Sequence, residues 1–166
     1  MKGVVIGLVS DLDDPEGLGR IRVTYPWMAD TDNTSHWARV AAPLAGPELG
    51  MYFQPEIGDE ALLAFEMDDV RRPYILGYLW NGDNAPPQED PALRTIKTVS
   101  GHSLIFDDTS GSEAITIEDP SGNKITMNAD GITIESSGDI TIKGTNINIE
   151  ASAQLTAKGN PIHLNP

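Results

Sequence analysis

The sequence contains no cysteine and few aromatic or basic residues. Among its 166 residues, aromatic side chains make up 6%, and 11 Lys and Arg stand against 25 Asp and Glu. The absence of thiols excludes disulfide frameworks and thiolate metal sites. The net charge of −14 opposes binding to phosphate backbones, which requires a positive surface.

Long hydrophobic runs and helical periodicity are also missing. No window approaches the roughly 18 consecutive apolar residues that indicate a membrane-spanning helix. The opening MKGVVIGLVSDLDD has an apolar run too short for a signal peptide, and its alternation is typical of a strand. We therefore expect synthesis in the cytoplasm without a signal peptide.

The first 80 residues contain five strand-like runs. They are VVIGLVSDL (4–12), RIRVTYPW (20–27), HWARVAAPL (36–44), DEALLAFEM (59–67) and RPYILGYLW (72–80). In the second run, Ile21, Val23 and Tyr25 alternate with polar neighbours, which predicts one buried face. Five short strands in this length fit an OB-type barrel. A generic β-sandwich remains the alternative, because periodicity does not separate the two folds.

A polar segment separates these runs from the rest of the chain. NGDNAPPQEDPALR (81–94) has three prolines and no apolar alternation, which predicts an extended, exposed connection. The sequence therefore predicts an all-β protein with an N-terminal barrel at 1–80, a linker at 81–100 and a second domain at 101–166.

The second domain is an internal repeat. From Ile125 onward, pairs of apolar residues at i and i+2 begin every 7 or 8 residues, with Gly, Asp, Asn or Ser between them. A fixed short period indicates a repeat architecture, and these small or polar residues allow a corner in each unit. Each unit is predicted to be one strand with two inward apolar side chains.

Such a strand has no second layer to cover its apolar residues. A single-chain β-solenoid could supply one, although its coils are usually longer. The short period favours a trimer, in which three chains each form one wall of a triangular prism. Burial stabilises by about 1.5–3 kcal/mol per side chain before ordering entropy is subtracted. The predicted trimer core consists of Ile115, Ile117, Ile125, Met127, Ile132, Ile134, Ile140, Ile142, Ile147, Ile149 and Leu155.

Three motifs resemble those of spike proteins from contractile injection machines, namely phage baseplate assembly protein V and valine-glycine-repeat (VgrG) spikes. They are DPEGLGRIRV, PEIGDE and RRPYILG, in the family's order. The resemblance implies an OB-fold collar, a triple-stranded β-helix needle and a homotrimer that pierces a target envelope. The hub domain of VgrG proteins and the lysozyme domain of some phage spikes are missing, so we expect a minimal spike that binds a separate baseplate hub protein.

The end of the repeat predicts a docking platform. Ile162, Leu164 and Pro166 would give three chains a flat apolar end, which Pro161 and Pro166 partly protect from edge pairing. The resemblance implies that a conical PAAR-type tip protein binds there.

The residues that could carry chemistry favour structural roles. Some phage spikes hold an axial iron ion with a His-x-His pair, but alternation turns His163 outward between Ile162 and Leu164. His36 and His102 lie at strand ends. The acidic residues fall in predicted turns without a calcium-loop pattern; they are Asp13, Asp14, Glu16, Asp68, Asp69, Asp107 and Asp108. We expect no enzymatic activity, metal or cofactor.

Two functional classes follow. One is a structural spike that works inside an assembled particle and meets the target membrane only transiently. The other is an OB-fold module that binds nucleic acid or glycan on a trimerising stalk, with Trp27, Trp37 and Trp80 as stacking platforms. The acidic charge and the repeat favour the spike.

Overall fold

The protein folds into two compact units, Met1–Glu89 and Asp90–Pro166. The structure is a computed structural model that describes residues 3–28 and 33–163. Regular structure in these residues is almost entirely β, with a single 3-10 turn at Glu66–Asp68, so the predicted all-β class is confirmed. Within the described ranges, no helix has the length and apolarity to cross a membrane.

The described residues of the N-terminal unit form seven strands. They are β1 (Val5–Asp11), β2 (Arg22–Thr24), β3 (Arg39–Val40), β4 (Ala45–Gly46), β5 (Leu49–Gly50), β6 (Glu60–Phe65) and β7 (Pro73–Leu79). Five of them form one sheet in the order β2-β1-β6-β7-β3, in which β3 and β7 are parallel. The remaining two, β4 and β5, form a separate hairpin that sequence analysis did not predict.

This sheet curls until its two edges meet. Ile21 and Ala38 exchange backbone hydrogen bonds of 3.0 and 2.7 Å, and the Ser35 amide donates to the Val23 carbonyl. These contacts join the β2 edge to the segment that leads into β3. The arrangement is a small barrel and not a sandwich, which resolves the alternative that the sequence left open.

The barrel interior is filled by alternating residues of its strands. Ile21, Val23 and Tyr25 are buried as the alternation predicted, and Leu63 and Ile75 reach them from β6 and β7. Gly7 of β1 faces the same interior, where a Cβ would lie 2.7 Å from Cγ2 of Val23 and 3.1 Å from Cδ1 of Leu63. The core therefore closes against bare backbone at this position.

The C-terminal unit begins with a five-stranded antiparallel meander. Its strands are β8 (Leu93–Lys97), β9 (Ser103–Asp107), β10 (Ala114–Glu118), β11 (Lys124–Asn128) and β12 (Gly131–Glu135), each paired with the next. Strand β8 falls inside the segment 81–100 that we predicted as linker. Leu93–Lys97 pairs residue for residue with β9, and this long-range ladder decides its structure where local composition indicated a loop.

Residues 136–163 follow the meander without an assigned strand. They contain the later units of the repeat, whose first members are Ile140, Ile147, Leu155 and Ile162. Their apolar side chains are about half or more exposed in the single chain. The first units pair as strands within one chain, whereas the later ones, over residues 136–163, have no assigned strand pairing.

The tight site at Gly7 gives the first testable prediction. Gly7→Ala should lower the free energy of unfolding of the N-terminal unit by about 1–3 kcal/mol, because the added methyl overpacks the core. Gly77→Ala on β7 is the matched control, since its Cβ would meet no atom within 4 Å. Urea unfolding followed by tryptophan fluorescence reports on this unit alone, because all three tryptophans lie in it. Equal midpoints for the two variants would contradict the packing described here.

Candidate functional site

The meander carries its apolar side chains on one face. Residues directly opposite each other share a face, and so do residues two apart along a strand. One row across all five strands consists of Ile96, Leu104, Ile117, Ile125 and Ile134; the neighbouring row consists of Arg94, Phe106, Ile115, Met127 and Ile132. The register thus assembles nine large apolar side chains into one continuous surface, which we call the apolar face.

The opposite face is polar. Its central row consists of Thr95, Ile105, Thr116, Thr126 and Thr133, and a flanking row places Lys124 between Glu118 and Glu135. The Ser103 hydroxyl donates a 3.1 Å hydrogen bond to the Glu118 carboxylate. β-branched threonines and cross-strand pairs of opposite charge suit a strand surface, and Thr133 on the last strand is exposed.

Within residues 90–163, no strand forms a second layer over the apolar face. Ile132 and Ile134 are 71% and 60% exposed, and Phe106, Ile117 and Ile125 are also classed with the exposed residues. A contiguous apolar surface of this kind indicates an interaction site. The five strands form an open meander. The sheet therefore does not close around its apolar face as the N-terminal barrel closes around its core.

A groove of about 660 Å³ runs along this surface. The first apolar row lines it together with Ile140, which lies just beyond the meander. The groove therefore connects the paired strands with the later repeat units.

The structure separates the predicted trimer core into two groups. Six of its members lie on the apolar face: Ile115, Ile117, Ile125, Met127, Ile132 and Ile134. The other five, Ile140, Ile142, Ile147, Ile149 and Leu155, are exposed in the strandless segment. Three further members of the face, Ile96, Leu104 and Phe106, were missing from the predicted core, although Leu104 and Phe106 belong to an i, i+2 pair of the repeat and so could have been included.

The predicted docking platform is only partly described. Ile162 is 51% exposed, whereas Leu164 and Pro166 lie outside the described residues. His163 is exposed. Over residues 3–28 and 33–163, no three His, Cys, Asp or Glu side chains come close enough to share a metal ion.

The DPEGLGR motif builds a loop around one carboxylate. The Asp14 side chain, 3% exposed, accepts hydrogen bonds from the backbone amides of Glu16, Leu18 and Arg20 and from the Arg20 guanidinium. The guanidinium holds the pKa of Asp14 well below its usual range, and the three amides act in the same direction. Gly17 and Gly19 adopt the left-handed φ angles of 64° and 68° that this tight loop needs.

The other two motifs also build turns. In PEIGDE, the Asp59 carboxylate accepts from the Glu56 amide, while the Gly58 amide and the Asp59 carbonyl bond to Val9 of β1. In RRPYILG, Arg71 forms a paired contact with Asp69. These contacts confirm that Asp59 and Asp69 serve turns, and the bonds to Val9 hold the start of β6 beside β1.

The arginines of the N-terminal unit are engaged with acids or aromatic rings. Ion pairs join Arg20, Arg71 and Arg72 to Asp14, Asp69 and Glu66 respectively. The guanidinium of Arg22 lies 4.6 Å from the Trp37 ring centre, and that of Arg39 lies 5.7 Å from Tyr74. This arrangement offers little unpaired positive charge to a phosphate backbone.

Comparison with known families accounts for both units. Residues 5–80 match the family described as the type VI secretion system/phage-baseplate injector OB domain. Residues 94–156 match the phage baseplate V C-terminal trimerisation domain. This chain belongs to the phage baseplate V family. The second match begins within β8, in agreement with the structural boundary.

The relatives of this baseplate V chain include spike proteins of type VI secretion systems. VgrG3 of Vibrio cholerae serotype O1 is 32% identical over 61% of this chain and 11% of its own length. VgrG5 of Pseudomonas aeruginosa is 31% identical over 73% of this chain and 15% of its own length. The actin cross-linking toxin VgrG1 of Vibrio cholerae is 31% identical over 58% of this chain. The chain spans between 10% and 19% of the length of these and similar relatives.

The apolar face generates a prediction about the trimerisation domain. Ile134→Asp should weaken self-association strongly, because it places a charge in the layer that must become dry. Thr133→Asp is the matched control: it adds the same charge at the neighbouring exposed position, on the polar face. Sedimentation equilibrium over a dilution series should show dissociation of the first variant only. Dissociation of both, or of neither, would contradict the assignment of the two faces.

The buried Asp14 carboxylate gives a pH prediction. Its pKa is lowered in the folded protein from an ordinary value of 3.8, so its ion pair stabilises the fold above about pH 4 and is lost as the pH falls further. Asp14→Asn should therefore lower the unfolding midpoint at neutral pH and make it decline less in acid. Asp13→Asn, the same change at the adjacent residue, should alter neither, and thermal melts at several pH values compare the three proteins.

Proposed function

We propose that the protein is a homotrimeric spike of a contractile injection machine and acts without catalysis. One observation carries the proposal: a sheet with one uncovered apolar face lies within a domain that matches a trimerisation family. Three such faces turned toward a common axis would bury one another and leave the threonine faces in water. The later repeat units would then continue the prism, with each chain supplying one strand per layer.

The proposed architecture suits an axial load. Force along the prism would be shared by a ladder of backbone hydrogen bonds and by a close-packed core, so no single contact carries it. Three of the acids that could have suggested catalysis, Asp14, Asp69 and Asp107, accept hydrogen bonds from backbone amides of their own turns. The protein would be pushed through the target envelope by another component and would meet the membrane only transiently.

The two ends of the spike would bind different partners. At the OB end, residues 1–80 would form a collar that meets a baseplate hub protein. The connection predicted at 81–100 would be shortened by β8, and the needle would extend to Pro166. At the other end, Ile162, Leu164 and Pro166 of three chains would form the apolar platform for a PAAR-type tip protein. The working location is the assembled, phage-tail-like particle.

Electron microscopy of purified particles tests the spike assignment. Particles that contain the protein should show three-fold density on the tail axis below the tube, and particles from a strain lacking the chain should lose it. A binding module for nucleic acid or glycan is the competing function. Tight, salt-sensitive binding of the purified protein to single-stranded DNA, or specific retention by cell-wall glycan, would favour that alternative.

The platform generates its own prediction. Ile162→Asp combined with Leu164→Asp should weaken capture of a tip protein at least about tenfold, because each buried apolar side chain contributes about 1.5–3 kcal/mol. His163→Asp is the matched control, since alternation turns this residue away from the platform. Co-purification of a tagged tip protein with each trimer measures capture, and unchanged capture by the double variant would refute the platform.

A further inference from the structure

The N-terminal unit has two separate apolar surfaces that lie outside its core. The first, which we call the strand surface, is a groove on the outside of the barrel lined by Val4, Val5, Ile6, Trp27, Leu62 and Leu79. The second, the loop surface, carries the large apolar side chains of the β3–β6 connection together with Leu18: Leu18, Leu44, Leu49, Met51, Tyr52 and Phe53. The two surfaces share no residue.

The strand surface is created by the register of β1 against β6. Ile6 lies directly opposite Leu62, and both face away from the interior that Leu63 fills. The Trp27 indole Nε1–H donates a 3.2 Å hydrogen bond to the Ile6 carbonyl, which holds the half-exposed ring beside the groove. The six lining residues include no charged side chain.

The loop surface is held in shape by its own backbone. The β4–β5 hairpin closes it, and the Met51 amide donates a 3.0 Å hydrogen bond to the Leu44 carbonyl. Gly19 of the Asp14 loop lies beneath the Tyr52 ring, where a Cβ would come within 3.2 Å of Cε2. Tyr52 and Phe53 are nevertheless 75% and 60% exposed. A supported loop with exposed aromatic side chains has the character of an interface and not of a core.

The two surfaces satisfy a requirement that three-fold symmetry imposes on a closed ring. A closed ring of three identical subunits is built from heterologous contacts, in which one surface of each subunit meets a different surface of the next. We infer that the loop surface of one copy packs against the strand surface of the neighbouring copy, so that the three OB units close into a ring. The inference rests on the homotrimer proposed above.

Tethering and composition support a second copy of this chain as the occupant. Only residues 80–92 separate β7 from β8, so association of the C-terminal units would hold three OB units at a local concentration on the order of millimolar. A contact too weak to form between free units would then form within the trimer. The surfaces supply Trp, Tyr, Phe and Met, which are enriched in interfaces, and Glu48 is the one charged residue that lines either of them.

Cysteine cross-linking of the full chain tests the ring, because the natural sequence has no cysteine. Four double variants pair Val4→Cys or Leu79→Cys on the strand surface with Met51→Cys or Phe53→Cys on the loop surface. Each is treated with a short bismaleimide at low protein concentration and examined on a denaturing gel. The control pairs Val4→Cys with Met67→Cys, which is 94% exposed and belongs to neither surface.

The expected result is covalent trimer from at least one of the four pairs. The control pair and each single-cysteine variant should remain uncross-linked, because a heterologous contact away from the three-fold axis keeps the copies of one position apart. Absence of cross-linking in all four pairs, with the trimer mass intact, would overturn the ring and leave the spike assignment standing. Dimers from a single-cysteine variant would overturn it in favour of a symmetric contact. A monomeric mass would overturn both the ring and the homotrimer on which it rests.

Discussion

The structure depends on one constraint: the C-terminal sheet has an apolar face that the described residues of its own unit leave exposed. Antiparallel pairing fixes every cross-strand neighbour, so Ile117 lies beside Leu104 and Ile125 and cannot turn away. The hydrophobic effect acts on the whole face together, because its side chains form one surface. Removing that surface from water requires other chains, and this links the fold of the unit to assembly.

The N-terminal unit solves the same problem within one chain. Its sheet curls until β2 reaches the segment before β3, and the side chains of Ile21, Leu63 and Ile75 are removed from water completely. The carboxylates of Asp14 and Asp59 are used to hold the turns that make this closure possible. These two carboxylates are therefore part of the scaffold.

Some units of the repeat form strands within one chain and others do not, although their local sequence pattern is the same. The pairs at Ile115, Ile125 and Ile132 form strands within one chain because each has a partner strand joined to it by a short turn. The pairs at Ile140 and Ile147 have the same pattern but no assigned strand. A strand requires backbone partners, and an isolated one leaves its N–H and C=O groups to water. The same local pattern therefore forms a strand only where a partner strand is present, and for the later pairs assembly would provide that partner.

The sequence by itself determined the all-β class, the burial of Ile21, Val23 and Tyr25, and the one-sided apolar repeat, because alternation along a strand is a local property. It favoured a barrel but did not exclude a sandwich, and it did not reveal that Leu93–Lys97 is a strand, because both features depend on hydrogen bonds between residues far apart in the chain. Tertiary structure alone placed Ile96 on the apolar face and left Tyr52 and Phe53, which follow β5, exposed. Strand register and barrel closure decide such features, and no short segment of the sequence determines either of them.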